Sequence, residues 1–130
     1  MKQDTQIRNS KIIAIVDDDD SVRTALKSLL RSCGYKVKTY CSALEFLNTN
    51  APAQTHCLVS DIQMPGMSGV EMLEQLVATG FHIPTIFITA YPAAAPPLGA
   101  HAPELVACLP KPCDGDRLLN CIEAALLQRH

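Results

Sequence analysis

The chain has 130 residues, 48% of them apolar and 18% charged, with a formal net charge of −2. That is one domain's worth of protein, large enough to build a core without metals or disulfides. No apolar run reaches the roughly 18–20 residues of a membrane span, and residues 1–10 are polar where a secretory leader would be apolar, so a cytoplasmic protein that does not enter membranes is expected. With 11 Lys+Arg against 13 Asp+Glu and no basic cluster, direct nucleic-acid binding is not expected either.

Taken in chain order, residues 11–16 form an apolar, β-branched run that stops at four consecutive aspartates, Asp17 to Asp20, and predict a strand buried on both faces. From Ser21 the period changes. Val22, Ala25, Leu26, Leu29, Leu30 and Cys33 recur at helical spacing, and Gly34 stands where a helix-ending glycine belongs. Residues 36–40 form a short strand whose Lys36 and Lys38 suit a sheet edge. Ser42 and Glu45 then make a capping box that opens a helix running through Leu47.

The alternation repeats. Residues 56–60 predict a strand ending at Asp61, and the loop from Gln63 to Met67 leads to a second capping box, Ser68 and Glu71. The helix that follows carries Val70, Leu73, Leu76 and Val77 on one face and ends at Gly80. Residues 83–88 predict a buried strand ending at Thr89-Ala90, and residues 105–109 the last one, ending at Pro110-Lys111-Pro112. A final amphipathic helix over 116–128 places Leu118, Leu119, Ile122, Ala125 and Leu126 inward. Between the fourth and fifth strands, residues 91–103 contain four of the nine prolines, so the helix expected there should be short or irregular. Five strands alternating with helices imply an α/β fold with a parallel sheet covered on both faces. The expected organisation is a polar extension over residues 1–10 followed by a single domain over 11–128.

The six cysteines, Cys33, Cys41, Cys57, Cys108, Cys113 and Cys121, contain no C-x-x-C pair and no zinc-finger spacing. Cys33, Cys57, Cys108 and Cys121 lie within apolar runs and are expected as reduced core residues. Cys41 and Cys113, at element edges, are expected to be exposed.

Ligand sites in open parallel sheets lie beyond the C-terminal ends of the strands. The residues there are Asp17 and Asp18, Asp61, Thr89 and Lys111. Taken singly, the aspartate run is an ordinary helix-capping loop, and Thr89 and Lys111 are ordinary surface residues. Together on one edge they make a site. Three carboxylates brought close repel one another unless a cation joins them, and a hard, oxygen-liganded Mg²⁺ suits them. Lys111 and Thr89 can then serve the oxygens of a phosphoryl group, with Asp61 the most central nucleophile.

The run Val16-Asp17-Asp18-Asp19-Asp20-Ser21-Val22-Arg23, the phrase Ser60-Asp61-Ile62-Gln63-Met64-Pro65-Gly66-Met67-Ser68-Gly69, and the pairs Thr89-Ala90 and Lys111-Pro112 resemble the receiver domain of two-component response regulators, the FixJ-type receivers in particular. The resemblance covers residues 11–127. It implies a flavodoxin-like doubly wound sheet of order 2-1-3-4-5. It also implies that Asp61 is the phosphoacceptor, that Asp17, Asp18, Asp61 and the backbone carbonyl of Gln63 hold Mg²⁺, that Thr89 and Lys111 bind the phosphoryl group, and that the Lys111-Pro112 bond is cis. Asp19 and Asp20 are left as loop and cap residues.

The implied function is a phosphoacceptor regulator, not an enzyme acting on a separate substrate. Its implied partners are a sensor histidine kinase or phosphotransfer protein and a downstream protein target, with a homodimer allowed. The chain is expected to stand alone or to be a receiver excised from a longer regulator. Three departures from the resemblance stand out: Cys108 and Cys113 each stand where an aromatic residue is usual, and Pro103-Glu104-Leu105 replaces glycine and small residues. They fall on the face that receivers use to dimerise or signal. The rival expectation is therefore a pseudo-receiver, a binding module that ignores phosphorylation.

Overall fold

The apolar runs become five strands, β1 (Ile12–Val16), β2 (Lys36–Tyr40), β3 (Cys57–Asp61), β4 (Thr85–Thr89) and β5 (Leu105–Pro110). All are parallel to their neighbours, in the order β2-β1-β3-β4-β5. This is the flavodoxin-like doubly wound arrangement that the resemblance implies. The computed structural model describes residues 8–91 and 103–127. The irregular segment expected within 91–103 lies almost entirely outside the described residues.

Alternation along β1 sorts the core into two layers, because successive side chains of a strand point to opposite faces. Ile13 and Ile15 join Leu26, Leu30, Val59, Ile86, Ile88, Leu118 and Ile122 on one face. That face is covered by α1 (Asp20–Ser32) and by the C-terminal helix, called α5 below (Gly115–Leu127). Ala14 and Val16 join Phe46, Leu58, Met72 and Leu76 on the other, covered by α2 (Ala43–Leu47), α3 (Ala51–Gln54) and α4 (Gly69–Ala78). Full burial of each large apolar side chain contributes about 1.5–3 kcal/mol. Both layers therefore clamp the central strands whose ends carry the candidate residues.

The helix ends follow their sequence signals. Asp19 caps α1, its carboxylate accepting from the N–H groups of Ser21 and Val22. At the other end the Gly34 N–H donates to the Arg31 carbonyl and the Tyr35 N–H to the Leu30 carbonyl. This pair of bonds needs a left-handed residue, and Gly34 supplies it at φ 98°. The Ser68 and Glu71 capping box of α4 is complete in both directions. Edge strand β2 exposes Lys36 and Lys38.

Several expectations need correction. Ala25 is exposed: it sits on the rim of the α1 stripe, and the burial is carried by Leu26 and Leu30. The helix α3 has no counterpart in the sequence reading, since it is 4 residues long with Pro52 in its first turn. Strand β4 starts at Thr85, not at residue 83, because Pro84 has no N–H for a ladder; its carbonyl instead accepts from the Leu58 N–H at 2.9 Å. Of the cysteines, Cys57 is buried and Cys41 exposed as expected, whereas Cys33, Cys108, Cys113 and Cys121 are all half-buried. Burial pushes the Cys57 thiol up to about 12. Among the described residues no helix is long and apolar enough to cross a membrane.

Candidate functional site

The sheet register delivers the candidate residues to one edge. Val16 lies opposite Ser60, so Asp17 and Asp61 leave adjacent strands at the same level. Thr89 lies opposite Pro110, and Lys111 follows directly, its N–H donating to the Thr89 carbonyl at 2.8 Å. The Lys111 ammonium stands 3.0 Å from Asp17 Oδ2 and 3.2 Å from Asp61 Oδ2. One oxygen each from Asp17, Asp18 and Asp61 lies within 4.8 Å of the others. Asp17, Asp18, Asp61 and Lys111 are thus brought together as the sequence suggests. Thr89 is joined to them through the backbone bond to Lys111, and its Oγ1 accepts from the Tyr91 N–H at 3.0 Å. Gln63 meets the site through its backbone, whose N–H donates to the Asp61 carboxyl. The Lys111-Pro112 peptide is cis.

Burial of charge sets the electrostatics. Asp17 is fully buried and Asp61 is 6% exposed, while Asp18 faces solvent. Burial, and then the negative charge of Asp17, hold the Asp61 carboxyl above the usual carboxylate range, against the pull of Lys111 and the Gln63 N–H. For Lys111, burial works downward but is outweighed by the adjacent Asp17 and Asp61 carboxylates, so it stays cationic. The Asp17 Oδ2 atom is inaccessible and takes no well-aligned hydrogen bond, although the ammonium is near. Three converging hard oxygen donors with one underused buried lone pair fit a divalent cation such as Mg²⁺.

The chain resembles known proteins in sequence and in fold. Residues 13–123 match the family model of the response regulator receiver domain. The chain belongs to that family. It is 38% identical over 116 residues to the transcriptional regulatory protein FixJ of Azorhizobium caulinodans, covering 88% of this chain and 54% of that protein. The solved structure of response regulator StyR superposes with a TM-score of 0.84 at 43% identity, over 92% of this chain and 60% of that one. Response regulator TrrA of Thermotoga maritima, solved in complex with Mg²⁺-BeF, superposes with a TM-score of 0.78 at 26% identity, over 89% of this chain and 99% of that one. The receiver spans about half the length of the curated relatives it matches.

The departures of this receiver have definite places. Cys108 is half-buried against a small cluster of Ile62, Leu73, Phe87 and Leu105, while Cys113 packs against the α1 and α5 layer. Tyr91 is exposed just past Thr89. Three further residues bear on the site without having been assigned a role from sequence. The Ser60 hydroxyl donates to the Asp61 carbonyl at 2.8 Å. A Cβ at Gly69 would stand 2.3 Å from the same carbonyl oxygen, so the glycine of the motif is there to let α4 approach the Asp61 backbone. Arg23 donates from Nη1 to the Asp17 carbonyl at 2.6 Å. Its spacing from Asp20, three residues along a helix, signals the ion pair between them but not the contact to the Asp17 carbonyl.

Proposed function

We propose that this receiver accepts a phosphoryl group on Asp61 from the phosphohistidine of a sensor histidine kinase or phosphotransfer protein and signals by contact with a downstream protein. The observation that carries the proposal is the convergence of Asp61 with Lys111 at 3.2 Å and with Asp17 and Asp18 within 4.8 Å. An Asp61 carboxylate oxygen attacks phosphorus. The P–N bond to the donor imidazole breaks, and its electron pair stays on the imidazole nitrogen, which takes a proton from solvent. Lys111 pairs with the arriving phosphoryl oxygens. The Thr89 hydroxyl donates to one of them while its oxygen keeps the Tyr91 N–H. Hydrolysis reverses the state: water attacks phosphorus, and the Asp61 carboxylate leaves.

Asp17, Asp18, Asp61 and the backbone carbonyl of Gln63 are the proposed Mg²⁺ ligands. When bound, the ion supplies neutralisation of the charge that gathers on the phosphoryl oxygens. In this reading the receiver is a regulator that promotes only its own phosphorylation and dephosphorylation. The transcriptional role in the name of the FixJ relative belongs to a protein about twice as long, so the proposal here stops at phosphoryl acceptance and protein contact.

The test is intact-mass analysis after incubation with acetyl phosphate and Mg²⁺, beside Asp61→Asn and an EDTA control. A single phosphoryl adduct lost in both controls supports the proposal; no adduct in a folded protein overturns it. One observation favours a second reading, the pseudo-receiver: Cys108, not an aromatic ring, sits against Phe87 and Leu105 three residues before Lys111. A partner whose affinity is unchanged by both phosphorylation and Asp61→Asn would establish that reading.

A further inference from the structure

Like charges on one short loop drive it apart, yet Asp17 and Asp18 hold their oxygens within 4.8 Å of Asp61. Lys111 offsets the charge from the β5 side. On the α1 side stands Arg23, in the first turn of that helix, its side chain 18% exposed. Its Nη1 donates to the Asp17 carbonyl at 2.6 Å, and its Nη2 pairs with the Asp20 carboxylate. One planar guanidinium therefore ties the first residue of the acidic run to the last, which the single ammonium of a lysine cannot do.

The other polar atoms of Asp17 are held by different partners. Its N–H donates to the Tyr40 carbonyl at 3.1 Å, Oδ1 accepts from the Asp19 N–H at 2.9 Å, and Oδ2 faces Lys111. The carbonyl that Arg23 grips belongs to the peptide shared with Asp18. That peptide is planar, so fixing its oxygen fixes the direction in which the chain delivers Asp18. Asp18 itself is exposed and gains no such direction from burial.

We propose that Arg23 is a positioning residue that orients the Asp17-Asp18 peptide and thereby sets the divalent-cation affinity of the acidic pocket. The inference rests on the receiver reading and deepens it. Its sign separates it from the alternatives. As a nearby positive charge, Arg23 repels an incoming cation, so if charge were its whole role its loss would tighten binding. If it served only to hold α1, its loss would lower the melting temperature and leave affinity unchanged. As a positioning group, its loss weakens binding.

The experiment is an NMR titration of the full chain with Mg²⁺ alone, without a phosphodonor, for wild type, Arg23→Gln, Arg23→Lys and Asp17→Asn. The same spectra report whether each variant is folded. The expected result is affinity weakened about tenfold in Arg23→Gln and about threefold in Arg23→Lys, which restores the charge and one donor but not the fork. Arg23→Gln binding as tightly as wild type, or more tightly, overturns the inference. Should Arg23→Gln fail to fold, Arg23→Lys decides alone, and wild-type affinity in that variant overturns it. A wild-type chain without saturable Mg²⁺ binding, or an Asp17→Asn variant that binds equally well, overturns the receiver reading of the pocket and the inference with it.

Discussion

Replacing Asp61 by asparagine is expected to stabilise the fold while removing the proposed phosphoacceptor. Asp61 is 6% exposed, Lys111 lies at 3.2 Å, and oxygens of Asp17 and Asp18 lie within 4.8 Å. At an effective dielectric constant of about 20, Lys111 attracts it by about 5 kcal/mol and the buried Asp17 carboxylate repels it by about 3.5 kcal/mol. Desolvation adds to the repulsion. The outcome is visible in the direction of the Asp61 carboxyl, which burial and Asp17 raise in spite of Lys111. The balance of these opposed contributions therefore burdens the native state, and each 1 kcal/mol of such a burden is worth about 3–5 °C in Tm for a chain of this size.

The sign follows from linkage. A folded-state pKa above the unfolded value of about 3.9 means that the native state keeps its proton longer. Asp61 therefore contributes stability that is fully present below that pH and lost as pH rises through the folded value. Thermal unfolding followed by circular dichroism in EDTA checks it. Asp61→Asn should melt above wild type at pH 7, by about 3–5 °C for each 1 kcal/mol of burden removed, with the gap closing as pH falls toward about 4. A variant that melts below wild type at pH 7 would show that the Lys111 pairing prevails, and the reasoning would fail.

Two other substitutions probe the backbone around the site and the distal end of the molecule. In Gly69→Ala the added methyl meets the Asp61 carbonyl oxygen at 2.3 Å and the Ile62 Cα at 3.2 Å, atoms that cannot rotate away. The expected destabilisation is about 1–3 kcal/mol, with slower phosphorylation by acetyl phosphate, and an unchanged melt would sink the explanation of this glycine. Arg8 donates to the Cys33 carbonyl at 3.1 Å and to Glu123 at 2.7 Å, and lies over the Tyr35 ring at 5.5 Å. Since the Glu123 pair is solvated, Arg8→Met should cost about 1–2 kcal/mol in total, less at high salt, as read from urea midpoints at two ionic strengths.

How much of this was legible beforehand depends on the kind of signal. The strands and helices were readable where a buried run or a helical stripe met a terminator, as at Asp17, Gly34, Ser68 and Gly80. The site was readable because strand ends in a parallel sheet share an edge, so that Asp61, Asp17 and Lys111 could be assigned to one place without knowing any distance. What escaped has a common physical form. The roles of Arg23, Ser60 and Gly69 are contacts to backbone carbonyls, and a sequence does not display which carbonyl a donor or a hydrogen atom will approach. The helix Ala51–Gln54 is shorter than the period by which helices are recognised. The half-burial of Cys113 arises from packing against the layer of α1 and α5, a tertiary fact with no local trace.

A cluster of mutually repelling carboxylates persists only where the surrounding structure over-determines it. Here the over-determination is in the strands: β1 and β3 are packed on both faces, with Ile13 and Ile15 in one layer and Ala14 and Val16 in the other. The Cα positions of Asp17 and Asp61 are thus set by the core and not by the charges they carry. Exchanging a carboxylate for an amide at this edge consequently changes the field of the site while leaving its framework in place. Changes at Gly69 or Arg23 act the other way, because each touches a backbone carbonyl of a site residue, at Asp61 and Asp17 respectively. The first class of variants reads the electrostatics of the acidic site and the second reads its geometry, so a combined Asp61→Asn and Arg23→Gln protein should show nearly additive changes in stability. Strong coupling between them would mean that charge, and not the core, places these residues.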